Sequence, residues 1–474
     1  MSGQAEDRGL PRGEPMTNNP RRAELGLLIA AWAIGIVCYA TVDLATLGTL
    51  PVNFLAVMLI TAAVLLAGHI VIRILAPYAD PVLFPVAAMI NLIGLVMIHR
   101  LDVAEQLRAE VNNTKAPPPD AIAQATWVLV ALALFTLVLF VVTDHRKLQR
   151  YTFTSLVVGV VLLLLPLVPV LGTSINGARL WVRLGPLSFQ PSELAKIALT
   201  IFFAGYLVRK REALATVRTK VAGIGIPRGR DLGPLLVAWL LALGVLAFER
   251  DLGTALMFFG LFVIMLYVAT QRRSWLIIGA VMFALAAVLG YLAFGHVRLR
   301  VQIWLDPWAY ANDEGYQLVQ ALFGLAKGGL FGTGLGDGYP QFIPFAKTDF
   351  IAAAIGEELG LAGMMALIML FAILVERGLR TAITCRDPFG TLLAVGLSSV
   401  FALQVFVTIG GVTRLIPLTG LTTPFLSYGG SALVCNWMMI ALLLRISDRN
   451  RRPATIAQSA DEALTQMIRV GIDR

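Results

Sequence analysis

Residues 252–270 read LGTALMFFGLFVIMLYVAT, a run without one charged side chain. A helix rises about 1.5 Å per residue and a bilayer core is about 30 Å thick, so a run of this length predicts a membrane-spanning helix. Charged residues stop at its edges, Glu249, Arg250 and Asp251 before it and Arg272 and Arg273 after it. Reading outward, comparable runs occupy 24–45, 53–75, 81–98, 124–143, 153–172, 191–208, 233–248, 275–294, 350–375, 388–410 and 428–446. The expected fold is therefore an all-α, polytopic transmembrane bundle of about twelve helices. With 58% hydrophobic and 14% charged residues, the composition excludes a string of soluble domains.

Charge then orders the spans. The formal charge of +9 does not mark a nucleic-acid binder, because the basic residues sit in short segments between apolar runs, where they set topology. Arg146, Lys147 and Arg150, the cluster at 209–230, Arg272 and Arg273, Arg377, Arg380 and Arg386, and Arg445 to Arg452 all fall in alternate loops. By the positive-inside rule these loops and both termini are expected in the cytoplasm. The opposite loops, 99–123, 173–190, 249–251, 295–349 and 411–427, are expected outside, where nucleotide sugars and ATP are absent. Group transfer there needs a pre-activated, membrane-carried substrate. The expected units are a cytoplasmic tail at 1–22, two N-terminal helices within 23–80, a transmembrane core at 81–447 carrying the long outer loop 295–349, and a cytoplasmic tail at 448–474. The first span follows Arg21 and Arg22 without a small-residue cleavage pattern and is expected to stay as an anchor. Cys38, Cys385 and Cys435 are odd in number and lie in apolar runs or a basic loop, which argues against disulfides and zinc; they are read as inert.

Polar groups concentrate at the outer edges of the spans, where a charged side chain near membrane depth is costly and usually functional. Glu193 and Lys196 stand three apart at the start of a helix and so share a face; a structural ion pair and a functional pair fit that spacing equally. Pro191 suits the first helical turn. Arg179 and Arg183, beside Trp181, offer two guanidiniums to a phosphate or to lipid head groups. Asp251 in ERDLGT is placed to cap the following helix. Loop 295–349 is too long for a connector. Within it GYQLVQALFGLAK (315–327) predicts an amphipathic helix with Leu318, Leu322 and Leu325 on one face, and the glycines of 328–338 predict close backbone approach rather than a dinucleotide site, since no βαβ unit surrounds them. Glu357 and Glu358 lie inside the next helix, whereas Asp349, at its mouth, is the better candidate for a general base.

The segments NGARLWVRLGPLSFQPSELAK, DLGTA, GYQLVQALFGLAKGGLFGTGLG, TDFIAAAIGEELG and PLTGLTTPFLSYGGSAL, in this order, resemble the shape, elongation, division and sporulation family of RodA, FtsW and SpoVE. The resemblance covers roughly residues 85 to 447. It implies a ten-helix core that polymerises glycan strands from lipid II, the undecaprenyl-diphosphate-linked disaccharide-pentapeptide, at the outer face of the cytoplasmic membrane, with the first two spans an N-terminal addition. A flippase for the lipid-linked precursor and a non-catalytic scaffold for a transpeptidase are the alternatives.

By that resemblance Asp349 is the catalytic base that activates the acceptor 4-hydroxyl, and Glu193, Lys196 and Asp251 belong to the catalytic group. Candidate substrate-binding residues are Arg179, Arg183, Gln190, Ser192, Arg298, Arg300, Thr348, Arg414 and the run Ser427, Tyr428, Gly429, Gly430, Ser431. A divalent cation, magnesium or manganese, is compatible with a diphosphate leaving group, though no ligand set is implied. The implied partners are lipid II, the nascent glycan strand, membrane lipids and a class B penicillin-binding protein. The chain departs from the family pattern at Phe345 and Lys347, where glutamate and histidine are usual, at Arg250 before DLGT, and at Thr408 and Arg414. The short C-terminal tail favours the elongation branch, RodA-like, over the division branch, FtsW-like.

Overall fold

A computed structural model describes residues 20–453 except 170, 176–177, 185–186, 216–218, 222–223 and, between 227 and 250, all but 233, 237, 239, 240, 244 and 249. The expected span at 233–248 thus lies almost wholly outside the described residues, as do most of both tails. Among the described residues, 11 helices are long and apolar enough to cross a membrane. The N-terminal pair is α1 (Pro20–Leu47) and α2 (Phe54–Leu75), followed by α3 (Leu83–Val111), α4 (Asp120–Val141), a 3-10 turn (His145–Tyr151), α5 (Thr152–Leu164) and α6 (Pro191–Ala215). The second half holds α7 (Leu252–Thr270), α8 (Ser274–Ala293), α9 (Gly295–Leu305), α10 (Tyr316–Gly328), α11 (Ile351–Ile383), α12 (Pro388–Val412) and α13 (Gly430–Arg451). The last helix runs to Arg451, three residues past the expected start of the tail at 448.

Local chemistry explains the helix ends. Asp387 caps α12 by accepting the Gly390 amide at 2.8 Å, and Pro388 occupies the first turn, where its missing N–H is no loss. Inside α11 the chain breaks at Gly360, whose φ of 65° is closed to most side chains. The freed backbone of α11 is met by the glycine-rich loop: Thr333 and Gly334 donate to the Glu357 and Glu358 carbonyls at 3.0 Å, and Leu361 donates to Gly329 at 2.9 Å. A β-carbon at Gly332 or Gly360 would collide with the other segment's backbone, so the expected close approach is what these glycines permit. Helix α10 forms where the amphipathic pattern predicts it, with Leu318 buried and Leu322 and Leu325 packed on the core.

Sequence reading predicts only a loop at 173–190, yet β1 (Gly172–Ile175), β2 (Ala178–Leu184) and β3 (Leu187–Phe189) form an antiparallel meander, and β4 (Thr219–Val221) pairs with β5 (Ile224–Ile226). The alternation in ARLWVRL is the cause: Val182 turns inward and is buried, while Arg179 and Arg183 turn outward. Spans α6 and α13 are each 89% buried within the protein and α8 only 6%, so the first two form the centre and the last faces lipid. An aromatic cluster of Phe84, Phe135, Phe425 and Trp437, with centroids 5.4–5.9 Å apart, ties α3, α4 and α13 to the segment joining α12 and α13. Gly94 lets α3 approach the backbone of Phe425 and Leu426.

Candidate active site

The N-termini of α6, α7, α11 and α13 meet at one end of the bundle with α9 and the 413–429 segment. Asp349 sits in the turn before α11. Its neighbour is Arg300 of α9, and Gly420, at φ +79°, lies against both: a β-carbon there would be 3.8 Å from Asp349 Oδ2 and 3.9 Å from Arg300 Nη2. Arg300 is fixed by donating to the carbonyls of Leu418 at 3.1 Å and Thr419 at 2.8 Å. Burial pushes the Asp349 carboxyl up to about 6, against the pull of Arg300 and a hydrogen bond with Thr348, and with a further upward push from Asp251. Burial also lowers the Arg300 guanidinium, while Asp251 and Asp349 act in the opposite direction.

Asp251 caps α7 as its position predicts, accepting the Thr254 amide at 2.9 Å through Oδ1. Burial raises its carboxyl above the ordinary range, opposed by Thr254 and Arg300 and reinforced by Glu193. Its Oδ2 is buried with no hydrogen-bond partner among the described residues. Glu193 and Lys196 pair at 2.6 Å, both buried, and Lys196 also donates to Gln404 Oε1 at 3.2 Å. Gln404 Nε2 in turn donates to the Thr422 carbonyl at 2.8 Å. A chain of charges therefore runs from Lys196 and Glu193 through Asp251 and Arg300 to Asp349, mostly away from bulk water, where each interaction is stronger than at an exposed surface.

The SYGGS run supports the Asp349 turn. The Ser427 hydroxyl donates to the Thr348 carbonyl at 2.6 Å and accepts the Thr423 amide at 2.8 Å, and the Tyr428 amide donates to the Lys347 carbonyl at 2.7 Å. Gln124 of α4 bridges the Ser427 carbonyl and the Gly429 amide. Gly430 lies flush against Trp127, and Ser431 accepts the Gln190 amide at 3.0 Å. The buried Ser192 hydroxyl has no hydrogen-bond partner among the described residues. Lys347 latches the same turn to α3 and α4 through Asp102 and Glu105 at 2.7 Å and Asp120 at 2.9 Å.

The other basic candidates are not gathered around Asp349. Arg298 is exposed and donates to the Tyr291 and Leu292 carbonyls at the end of α8. Arg414 donates to the Trp304 and Leu305 carbonyls, fastening the end of α9. Arg179 and Arg183 stand on the outer face of β2. Sequence reading missed Gln404, whose signal is an amide inside an apolar run, and Arg100, which pairs with Glu358 at 2.8 Å and donates to the Gly336 and Gly338 carbonyls. Among the described residues no group of three His, Cys, Asp or Glu is placed to hold a metal ion. Magnesium is often held by one or two carboxylates plus a ligand's phosphates, and Asp251 Oδ2, without a hydrogen-bond partner among the described residues, is an oxygen that fits that role.

The family model for the cell cycle proteins FtsW, RodA and SpoVE matches residues 80–452. The chain belongs to the FtsW/RodA/SpoVE family. It is 51% identical over 388 residues to the peptidoglycan glycosyltransferase RodA of Mycobacterium tuberculosis H37Rv, covering 82% of each chain. To the protein of the same name from Mycobacterium leprae it is 47% identical over 433 residues, covering 91% of each. Its fold matches a chain from a solved peptidoglycan synthase complex that coordinates polymerization and crosslinking, with a TM-score of 0.62 and 28% identity, over 79% of this chain and 99% of that one. The family match begins directly after α2, so α1 and α2 precede the FtsW/RodA/SpoVE core.

Proposed function

We propose that this membrane glycosyltransferase polymerises peptidoglycan from lipid II, with Asp349 as the general base. The observation that carries the assignment is a carboxyl pushed up to about 6, beside Arg300, at the end of a bundle that belongs to the FtsW/RodA/SpoVE family. A base is most effective when its pKa lies near the working pH, since it is then both ionised and able to take a proton. Asp349 accepts the proton of the acceptor sugar's 4-hydroxyl as that oxygen bonds to the anomeric carbon of the growing chain. The bond from that carbon to the lipid diphosphate breaks, and the configuration inverts. Half-buried Arg300 and buried Lys196 are the cations nearest the carboxylates and stabilise the charge developing on the leaving diphosphate. Magnesium or manganese, held by Asp251 and the diphosphate, would supply further neutralisation when bound.

The identity to proteins named RodA supports the elongation branch, in which the chain builds the side wall and sets cell shape. The site faces outward and both termini lie in the cytoplasm, on the charge argument above. The partner is a class B penicillin-binding protein, whose single transmembrane helix would lie in the apolar groove lined by Phe371 and Val375 of α11 and Val405 and Ile409 of α12.

Purified chain with that partner, given lipid II, is expected to form glycan strands. Asp349→Asn should reduce polymerisation by about a hundredfold or more while the melting temperature is kept. Unchanged polymerisation by this variant refutes the role of Asp349. Precursor translocation in vesicles without polymer from the wild type favours a flippase.

A further inference from the structure

At the end of the bundle opposite Asp349, three groups from two loops meet. His145 opens the 3-10 turn after α4 and is fully buried, with Nε2 at 3.3 Å from Asp387 Oδ2. The thiol of Cys385, in the short loop between α11 and α12, lies near the same nitrogen, since a β-carbon at Gly390 would meet both His145 Nε2 and Cys385 Sγ, and the thiol donates to the Asp387 carbonyl at 3.5 Å. Asp387 is held in place because its Oδ2 also caps α12 through the Gly390 amide. Asp144 and Arg146, flanking His145, are the other charges facing the cluster.

We propose that Cys385 is a reversible thiol-modification site that takes up low-molecular-weight disulfides. A buried imidazole with no hydrogen-bond partner among the described residues, close to a thiol and a carboxylate, can take the thiol proton onto nitrogen and leave a nucleophilic thiolate. Burial raises the Cys385 thiol, but the nearby His145 and the Asp387 backbone outweigh it and bring the thiol below its ordinary value. Cys385 is only partly buried and can be reached, whereas Cys435 is enclosed in α13. In the reaction the thiolate attacks one sulfur of the disulfide, a new S–S bond forms, and the other half leaves as a thiolate. A second free thiol reverses the step.

The packing says what an adduct does. A β-carbon at Gly390 would lie under 3.0 Å from both His145 Nε2 and Cys385 Sγ, so the first turn of α12 presses directly on the pair. An adduct on Cys385 has to part that contact. Ile383 and Thr384, beside Cys385, also line the groove between α11 and α12, so the disturbance reaches that lipid-facing surface. Modification thereby couples a thiol–disulfide balance to the pairing of α11 with α12.

The test uses the full chain in lipid nanodiscs, with each cysteine followed by peptide mass spectrometry. Iodoacetamide alkylation of Cys385 measured against pH should show a midpoint below the free-thiol value of about 8.5, returning toward it in His145→Gln. A midpoint at or above the free-thiol value in the wild type overturns the proposal, and that outcome does not depend on the variant folding. Oxidised glutathione should form a mixed disulfide at Cys385 and lower glycan polymerisation severalfold, with dithiothreitol restoring it. Cys385→Ser should keep basal polymerisation and lose this sensitivity. Equal inhibition of Cys385→Ser removes the regulatory part of the proposal. The alkylation arm reads the thiol directly, so it stands or falls separately from the proposed polymerase activity.

Discussion

Asp349, Arg300 and Asp251 form a small electrostatic system whose pH behaviour follows from burial. A carboxyl raised to about 6 is mostly neutral below that pH, so its ionised, base-competent form is lost as pH falls through 6. The rate of polymerisation at low substrate should therefore show an acidic limb with a midpoint near 6 and a plateau above it, measured on purified complex across pH 4.5–8. Arg300 lowers the Asp349 carboxyl, so Arg300→Gln should move that midpoint upward as well as reduce the plateau; a midpoint that stays put would show that Arg300 does not act on Asp349. Glu193 and Lys196 are a different case, a buried pair whose halves depend on each other. Lys196→Met leaves an uncompensated buried carboxylate and should cost about 3–5 kcal/mol, read by thermal or denaturant unfolding. The double change Glu193→Leu with Lys196→Met should recover most of that stability. If polymerisation recovers with it, the pair is structural; continued loss assigns it to the chemistry.

Elements fix the residues in turn, chiefly through glycines and one lysine. Gly360 breaks α11 with a φ of 65° and lies against the backbone of the 328–338 loop. Gly360→Ala combines roughly 1–3 kcal/mol of strain, from a positive-φ extended conformation that only glycine readily adopts, with a steric collision and should lower the melting temperature, whereas Gly26→Ala, in α1 with nothing within 4 Å, should be neutral or slightly stabilising. Lys347 bonds three carboxylates from α3 and α4, so Lys347→Met should loosen the Asp349 turn and leave like charges facing one another. Limited proteolysis between 339 and 350 is expected to become faster. At this scale the sequence was partly readable. The period of α10, the cap at Asp251 and the glycine-dense loop are local patterns. The β1–β3 meander was not read, because a short polar segment with three alternating positions looks like loop until its partner strand is known.

For the whole molecule, sidedness is the property to test. A cysteine in place of the exposed Asn113 should react with a membrane-impermeant maleimide in intact cells, and one in place of Gln271 should react only after the membrane is opened. The reverse pattern would invert the bundle and place Asp349 in the cytoplasm. The sequence by itself determined the apolar spans, the alternation of basic loops and the polar groups at the span edges, because hydropathy and charge belong to each residue wherever the chain goes. It also carried the family motifs that single out Asp349. Only the tertiary structure decided that Arg300 and not Arg298 or Arg414 stands beside Asp349, that Gln404 completes the Lys196 pair, and that a cysteine read as inert meets His145 and Asp387. Those contacts join residues far apart in the chain, and their geometry depends on how helices rotate and pack, which no local pattern records.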